Sequence, residues 1–146
     1  MKAVLIDIDH TLSDASWRDP MIGGEGGWDA YHNASVDDKV AEDVALFVRA
    51  VRYVPLLAVG CTARPEKFRE ITMNWLLRHN IWLDHLLMRP DEEFRPSAEI
   101  KVELAEKFFK GDLRRIVAVL DDHEGVISAF VARGVTALHV RGRKYA

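Results

Sequence analysis

The sequence predicts an α/β fold: a three-layer arrangement in which helices cover both faces of a central parallel sheet. Five short apolar runs rich in β-branched residues are typical of strands that are buried on both sides. Segments with helical hydrophobic periodicity separate most of these runs, and strands that alternate with helices favour a parallel sheet. The length of 146 residues suits one domain, and we expect residues 1–146 to form it.

The predicted elements follow one another in a regular order. Strands are expected at residues 2–8, 54–59, 86–88, 116–120 and 135–140. A helix should start with Pro65 in its first turn. Ser97 should cap the amino end of a second helix, which ends at Gly111. A third helix includes residues 126–131 and stops at Gly134.

Residues 13–51 interrupt this alternation and form a predicted insertion after the first strand. A glycine-rich stretch at residues 23–27 lacks the spacing of a phosphate-binding P-loop, which favours a simple connection. Helical patterns follow at residues 28–33 and 37–52. Ligands of open α/β sheets bind beyond the carboxyl ends of the strands, and an insertion at this point would overhang them. We therefore expect a small, helical, cap-like insertion.

Composition argues against several classes of function. The formal net charge is −3, whereas a dedicated duplex-DNA binder usually carries a basic excess. We therefore expect no extended duplex binding, although a few arginines could hold a phosphorylated nucleotide or one nucleic-acid end. The single Cys61 fits a reducing compartment, and the sequence has neither a signal-peptide pattern nor the roughly 18 apolar residues of a membrane helix. These features predict a cytoplasmic protein without a membrane partner.

Polar side chains follow four of the predicted strands, where ligands bind in such sheets. The six that could carry chemistry are Asp7, Asp9, Thr62, Lys101, Asp121 and Asp122. Crowded carboxylates repel one another, and Mg²⁺, which prefers oxygen ligands, would offset that repulsion together with a lysine. One carboxylate could then attack phosphorus, while a second carboxylate two residues on moves protons. Thr62 and Lys101 could hold phosphoryl oxygens as charge develops on them.

The order of these residues resembles the four signature motifs of the haloacid dehalogenase (HAD) superfamily of phosphotransferases. The sequence has Asp-x-Asp-x-Thr at residues 7–11, Thr-x-Arg at residues 62–64, then Lys101, then an Asp-Asp pair at residues 121–122. The likeness extends over nearly the whole chain. It implies a HAD-like, Rossmann-like fold. His10 stands where the superfamily usually has glycine.

The resemblance also implies a role for each motif residue in a reaction through an aspartyl-phosphate. Asp7 would be the nucleophile, Asp9 the general acid and base, Thr62 and Lys101 the phosphoryl-binding groups, and Asp121 and Asp122 metal ligands. Mg²⁺ would also meet the carboxylate of Asp7 and the backbone carbonyl of Asp9.

A narrower resemblance is to the 3′-phosphatase domain of bacteriophage-type polynucleotide kinase/phosphatase. It is carried by residues 75–95, by Leu-Asp-Asp at residues 120–122 and by Arg-Gly-Val at residues 133–135. In that family an arginine lies nine residues after the second aspartate of the first motif, where this chain has Arg18, and the arginine of the second motif falls on Arg64. Both are implied contacts to the substrate phosphate. Arg89 and Arg95, from the matching stretch, are further candidates.

Two departures from that family concern its later motifs. The family tends to have an acid four residues before the lysine, and this chain has Ser97 there. Because that acid orients the lysine, we expect Lys101 to be held differently, with a carboxylate of the site itself as the candidate partner. Asp122 is followed by His123, where arginine is more common.

The favoured hypothesis is a Mg²⁺-dependent phosphomonoesterase that removes a 3′-phosphate from a nucleic-acid end or a nucleotide. A free mononucleotide suits the net charge at least as well, because long polymers gain affinity from many phosphate contacts. Another small phosphomonoester stays open as a substrate. Alternatives from other classes are a receiver-like signalling domain and a catalytically silent phosphate-binding protein. Trp17, Trp28 and Tyr31 of the insertion could stack on a base or pack the insertion onto the body.

Overall fold

The computed structural model of the chain describes residues 1–140, and its architecture is the predicted α/β fold. The strands are β1 (Ala3–Ile6), β2 (Ser13–Asp14), β3 (Lys39–Val40), β4 (Leu57–Pro65), β5 (His85–Arg89), β6 (Ile116–Asp121) and β7 (Ala137–His139). The α-helices are α1 (Gly27–Asn33), α2 (Glu42–Val51), α3 (Arg69–Arg78), α4 (Ser97–Phe108) and α5 (Glu124–Val131). The last six residues of the predicted domain lie outside the described residues. Across residues 1–140, no helix has both the length and the apolar character that crossing a membrane requires.

The main sheet has five strands in the order β5-β4-β1-β6-β7, and every neighbouring pair is parallel. The chain runs outward from β1 to β4 and β5, then returns to β6 on the other side of β1. Strand order therefore reverses beside β1, and such reversal points form the ligand crevices of open α/β sheets. The N–H of Asp7 donates to the carbonyl of Leu120 at 2.9 Å, which extends the β1–β6 pairing to the start of this crevice.

Alternation along β1 fixes the two apolar layers. Val4 and Ile6 belong to the core cluster that α2 and α3 cover, whereas Ala3 and Leu5 belong to the cluster under α4 and α5. Successive side chains of a strand point to opposite faces, so a central strand with both faces covered must be apolar throughout. Burial of each large aliphatic side chain contributes about 1.5–3 kcal/mol. The strand that precedes Asp7 is therefore firmly anchored.

The insertion departs from its prediction in one respect. The helix expected at residues 37–52 begins at Glu42, because β3 pairs with β2 as a short antiparallel ribbon and the preceding Ala34–Asp37 forms a 3₁₀ turn. Helix α2 packs against the sheet through Ala45 and Val48 like the other crossover helices. The part of the segment that overhangs the strand ends is accordingly residues 13–41, whose middle is the 3₁₀ segment Ser16–Gly23 followed by α1.

Two other boundaries also differ from prediction. The strand expected at residues 54–59 is β4, which starts at Leu57 because the preceding residues close α2 with turn hydrogen bonds such as Tyr53 N–H to the Ala50 carbonyl. Pro65 is the last residue of β4, not the first of a helix, and a 3₁₀ turn separates it from α3. The amino end of α3 therefore begins farther from Thr62 than predicted.

Helix α4 lacks the predicted cap. Pro96 occupies the cap position, Ser97 is the first helical residue, and its hydroxyl makes no capping bond. The N–H of Ile100 instead donates to the carbonyl of Pro96 at 3.2 Å, so the backbone itself closes the first turn.

Candidate active site

One pocket of about 550 Å³ lies at the carboxyl ends of β1, β4 and β6, a size typical of small-molecule sites. It contains all six residues predicted to carry chemistry: Asp7, Asp9, Thr62, Lys101, Asp121 and Asp122. The pairing of β4 with β5 shifts register between Thr62 and Pro65, so the sheet loses regular pairing beside the site. The insertion supplies the opposite wall, which includes Ile22, Trp28 and Tyr31.

A tight turn after β1 places the first two carboxylates. The N–H groups of Thr11, Leu12 and Ser13 converge on the carbonyl of Ile8 at 2.9–3.1 Å. His10 sits inside this turn with a φ of 63°, in the left-handed region that L-residues rarely adopt and that glycine adopts freely. Glycine is usual at this position of the HAD motif because the turn requires a positive φ there. Histidine is one of the few side chains enriched in this conformation, which explains why it is tolerated.

Lys101 is held by two carboxylates of the site. Its Nζ lies 2.7 Å from Asp7 Oδ1 and 2.6 Å from Asp121 Oδ2, and all three side chains are buried. Burial alone would lower the pKa of Lys101, but the negative charges of Asp7 and Asp121 outweigh it and raise the pKa, so the ammonium stays charged. These contacts provide what the acid missing at Ser97 would have provided: a fixed orientation of the lysine.

Asp7, Asp121 and Asp122 form the acidic end of the pocket. Each offers an oxygen, and these oxygens lie within 4.8 Å of one another. Burial, followed by the charge of Asp7, raises the pKa values of both Asp121 and Asp122 above the usual range of a carboxyl. Thr11 Oγ1 donates to Asp7 Oδ2 at 2.9 Å. Three close carboxylates, of which Asp7 and Asp121 are buried and Asp122 is half-buried, offer oxygen ligands alone and fit a hard divalent cation such as Mg²⁺, which would neutralise their repulsion.

Asp9 faces away from that cluster, towards two arginines. Arg18 Nη2 lies 2.5 Å from Asp9 Oδ1, and Arg64 grips both carboxylate oxygens, with Nη2 2.6 Å from Oδ1 and Nε 3.0 Å from Oδ2. Burial alone would raise the pKa of Asp9, but Arg64 and then Arg18 hold it well below its usual range. The carboxylate of Asp9 is thereby committed to the arginines, which leaves only its backbone carbonyl for the predicted metal contact.

Arg18 and Arg64 were predicted from the family resemblance as substrate contacts, and both are almost wholly buried behind Asp9. Neither side chain lines the pocket. Arg18 also donates to the carbonyl of Tyr31 at 3.0 Å, and its guanidinium lies 4.3 Å from the centre of the Tyr31 ring. Arg64 donates to Thr72 Oγ1 at 2.9 Å. Their geometry is that of groups that position Asp9.

Asp38 completes this network and was not identified from the sequence. Its carboxylate accepts from Arg18 Nε at 2.8 Å, from Arg18 Nη2 at 2.6 Å and from Trp17 Nε1 at 2.9 Å. Trp75 of the core donates to the carbonyl of Asp38 at 2.9 Å. No local pattern marks this aspartate, which lay within the helix predicted at residues 37–52. Trp17 is thus bound to Asp38 through its indole N–H, and it does not line the pocket.

Arg89 and Arg95 do line the pocket, and both bond to groups of the surrounding loop and of α4. Arg89 donates to the backbone carbonyls of Ala63, Glu93 and Arg95 at 2.6–3.0 Å. Arg95 forms ion pairs with Glu93 at 3.0 Å and with Glu103 at 2.7 Å. Both arginines therefore brace the loop between β5 and α4.

Comparisons with known proteins agree with this geometry. A family model of the polynucleotide kinase PNKP phosphatase domain matches residues 1–145. A chain in a structure of the Pnkp1/Rnl/Hen1 RNA repair complex is similar, with 25% identity and a TM-score of 0.80 over 95% of this chain and 42% of that chain. A chain in a second structure of the Pnkp1/Rnl/Hen1 complex has 25% identity and a TM-score of 0.82 over 95% of this chain and 45% of that chain. The chain thus spans less than half the length of these relatives.

A haloacid dehalogenase-like hydrolase from Streptococcus pneumoniae shares the fold, with 11% identity and a TM-score of 0.68 over 95% of this chain and 84% of that chain. No curated protein matches the sequence.

Replacing Asp38 by Asn should lower the free energy of unfolding by about 3–5 kcal/mol, because it leaves the buried Arg18 without its main counter-charge. Urea unfolding measures this loss. Asp37→Asn is the matched control, since Asp37 is exposed and adjacent, and it should change stability by less than about 0.5 kcal/mol. Equal stabilities of the two variants would contradict the role given to Asp38.

Proposed function

The chain belongs to the polynucleotide kinase PNKP phosphatase-domain family, a family of HAD phosphatases, and from this membership we propose that it removes a 3′-phosphate from a nucleic-acid end. Similarity to a chain of an RNA repair complex supports a nucleic-acid substrate. The observation that carries the proposed mechanism is the double anchoring of Asp7, by Lys101 and by Thr11, in a pocket that also contains Asp9. Family membership also removes the reason to consider a receiver-like domain.

Asp7 is the proposed nucleophile. Lys101 binds Oδ1 and Thr11 binds Oδ2, so the carboxylate has a fixed orientation beside a positive charge. An oxygen of Asp7 would form a bond to phosphorus as the bond from phosphorus to the sugar oxygen breaks. Water would then attack phosphorus, releasing inorganic phosphate and restoring the Asp7 carboxylate.

Asp9 is the proposed proton carrier for both steps. It would give a proton to the departing sugar oxygen and later take one from the attacking water. Arg64 and Arg18 keep the pKa of Asp9 low, so Asp9 is a carboxylate in the free protein. The negative charge of a bound substrate phosphate would raise that pKa, so the proton given to the sugar oxygen would be one that Asp9 takes up as the substrate binds. The two arginines act through Asp9, and we assign them as positioning residues and not as phosphate clamps.

Thr62 and Lys101 are the proposed contacts for the phosphoryl oxygens. Thr62 lies near the carboxyl end of β4 with its side chain buried at the pocket, and its hydroxyl accepts from the N–H of Arg64 at 3.2 Å. The hydroxyl proton is then free to bond a phosphoryl oxygen. Mg²⁺, bound by Asp7, Asp121, Asp122 and the backbone carbonyl of Asp9, would offset the charge of the carboxylates and of the phosphoryl group.

The Asp7→Asn variant should fold normally but show no turnover, because a neutral amide cannot form the acyl-phosphate. Wild type treated with ³²P-labelled substrate and quenched in acid should carry a hydroxylamine-sensitive label that the variant lacks. Asp37→Asn should retain full activity. Turnover by Asp7→Asn at a rate near that of wild type would contradict the mechanism.

A substrate series tests the specificity. We expect faster hydrolysis of a 3′-phosphorylated oligonucleotide than of the matching 5′-phosphorylated oligonucleotide, a mononucleotide or a sugar phosphate. Higher kcat/KM on the mononucleotide would support that alternative. Comparable kcat/KM on the sugar phosphate would contradict both nucleic-acid and nucleotide substrates.

Replacing Arg64 by Gln should shift the acidic limb of the kcat profile to higher pH. The pKa of Asp9 lies below its usual value because of Arg64 and Arg18, so loss of one guanidinium raises that pKa towards 3.8 or above. The ionised Asp9 also stabilises the fold. This stabilisation is fully present above the pKa of an aspartate in the unfolded chain and is lost as pH falls from there towards the lowered pKa of Asp9 in the folded protein. Steady-state rates across acidic pH measure the shift, and an unmoved limb with an unchanged kcat would contradict the positioning role.

Mg²⁺ should raise the melting temperature, with a stabilisation of about 2.7 kcal/mol when its concentration is about a hundred times its Kd. Because the pKa values of Asp121 and Asp122 are raised, protons compete with the metal, and the gain should shrink as pH falls from about 8 to about 6. Without metal, the free energy of unfolding should change with pH in the opposite direction. A carboxyl whose pKa is raised in the folded protein stabilises the fold at low pH, and that stabilisation is lost as pH rises through the raised pKa.

Differential scanning fluorimetry measures this shift without relying on activity. Asp121→Asn should abolish the Mg²⁺-dependent gain, whereas Asp37→Asn should keep it. A gain that survives in Asp121→Asn would contradict the assigned ligands.

A further inference from the structure

Two large aromatic side chains stand exposed on the walls of the candidate active site. Trp28 is 59% exposed and Phe94 is 89% exposed, and both line the pocket that contains Asp7 and Lys101. They come from separate elements, α1 of the insertion and the loop between β5 and α4. Aromatic rings normally bury most of their surface in the core, so two exposed rings around one polar site are available to a ligand.

The Trp28 ring is pre-oriented by its neighbours on α1. It stacks on His32 with ring centres 5.8 Å apart and planes at 24°, and it meets Tyr31 edge to face at 5.4 Å. These residues follow at the spacings of three and four that bring helical side chains together. Burial lowers the pKa of His32 to about 4, so its ring is neutral and packs as an apolar surface. The indole thus has fixed neighbours while Trp28 stays 59% exposed.

The loop that carries Phe94 is held in place by the two arginines at the rim. Arg89 donates to the carbonyls of Glu93 and Arg95, the residues on either side of Phe94. Arg95 adds ion pairs to Glu93 and to Glu103 of α4. The loop backbone is therefore fixed while the Phe94 ring projects from it, an arrangement that lowers the entropy cost of binding a flat ligand.

The charges at the pocket rim disfavour an extended polyanion. Lys67 is paired with Asp29 at 2.8 Å, and Arg95 is paired with Glu93 and Glu103. Arg89 bonds three backbone carbonyls and is the one pocket-lining arginine without an ion pair among the described residues. The rim also carries the acids Asp19, Asp29, Glu92 and Glu93. A nucleic-acid backbone gains affinity from unpaired cations along its path. Where those are scarce, the favourable contact left to a single strand is stacking of its bases, which is nearly independent of charge.

We propose that Trp28 and Phe94 form a base-stacking subsite, which holds the nucleobase of the terminal nucleotide while its phosphate reaches Asp7. This proposal rests on the proposed function and specifies its substrate: a single-stranded or unpaired end whose last base is accessible. Recognition comes from that base and the reacting phosphate, and not from a row of backbone phosphates.

Paired oligonucleotides test the subsite. One carries a 3′-phosphate on an ordinary terminal nucleotide and the other on a terminal abasic sugar. Trp28→Ala and Phe94→Ala should each lower kcat/KM by about tenfold on the first substrate and leave it within twofold on the second. Trp82→Ala and Phe47→Ala, exposed aromatics outside the pocket, are the matched controls and should change neither value.

The outcomes separate the subsite from the proposed function. Equal losses on the base-bearing and abasic substrates, or no loss on either, would overturn the subsite alone. Absence of wild-type activity on every 3′-phosphorylated substrate, with activity on another phosphomonoester, would overturn the proposed function and the subsite with it.

Salt dependence provides a second measurement. Binding of the 3′-phosphorylated single strand to Asp7→Asn should weaken with salt with a slope of log K against log salt of about −1 to −2, because each neutralised phosphate contributes about −0.7. A slope several times steeper would show that backbone contacts dominate and would overturn the base-stacking assignment.

Discussion

Crowding of negative charge at one edge of the sheet is the constraint on which the rest of the structure depends. The carboxylates concerned are Asp7, Asp9, Asp38, Asp121 and Asp122, and the cations that contact them are Lys101, Arg18 and Arg64. Buried charges are tolerated only when they are paired and hydrogen-bonded. The pairing divides the site into two halves: a lysine-centred half, which retains a negative excess that suits a divalent cation, and an arginine-centred half that sets the protonation of Asp9.

The fold, and the set of residues that line the site, could be predicted from local features of the sequence. Asp7, Thr62 and Asp121 meet because each lies at or near the carboxyl end of a strand of one parallel sheet, and apolar runs reveal such strands even when their limits shift by several residues. The positive φ of His10 likewise explains why glycine is usual at this position of the motif. The pairing of Lys101 with acids of the site follows from the same geometry, once Ser97 leaves no other acid nearby.

The sequence could not predict which way the side chains of Arg18 and Arg64 point. Arg18 and Arg64 have the spacing of substrate contacts, yet they turn inward because Asp38 and Thr72 accept from their guanidinium groups. Both partners are distant in sequence from the residues they bind, and neither lies in a recognisable motif. The β2–β3 ribbon escaped prediction for a related reason, since two-residue strands are too short to show an alternating pattern.

The network of Arg18, Arg64, Asp9 and Asp38 joins the insertion to the rest of the domain. Arg18 and Asp38 belong to the insertion, whereas Asp9 and Arg64 belong to the rest of the domain, so the carboxylate of Asp9 is held by groups from both parts of the chain. A cap of this kind cannot be exchanged for an unrelated one as a passive specificity module. Any replacement would have to bring its own guanidinium and its own buried carboxylate, which confines diversification of this domain to the exposed surface around Trp28.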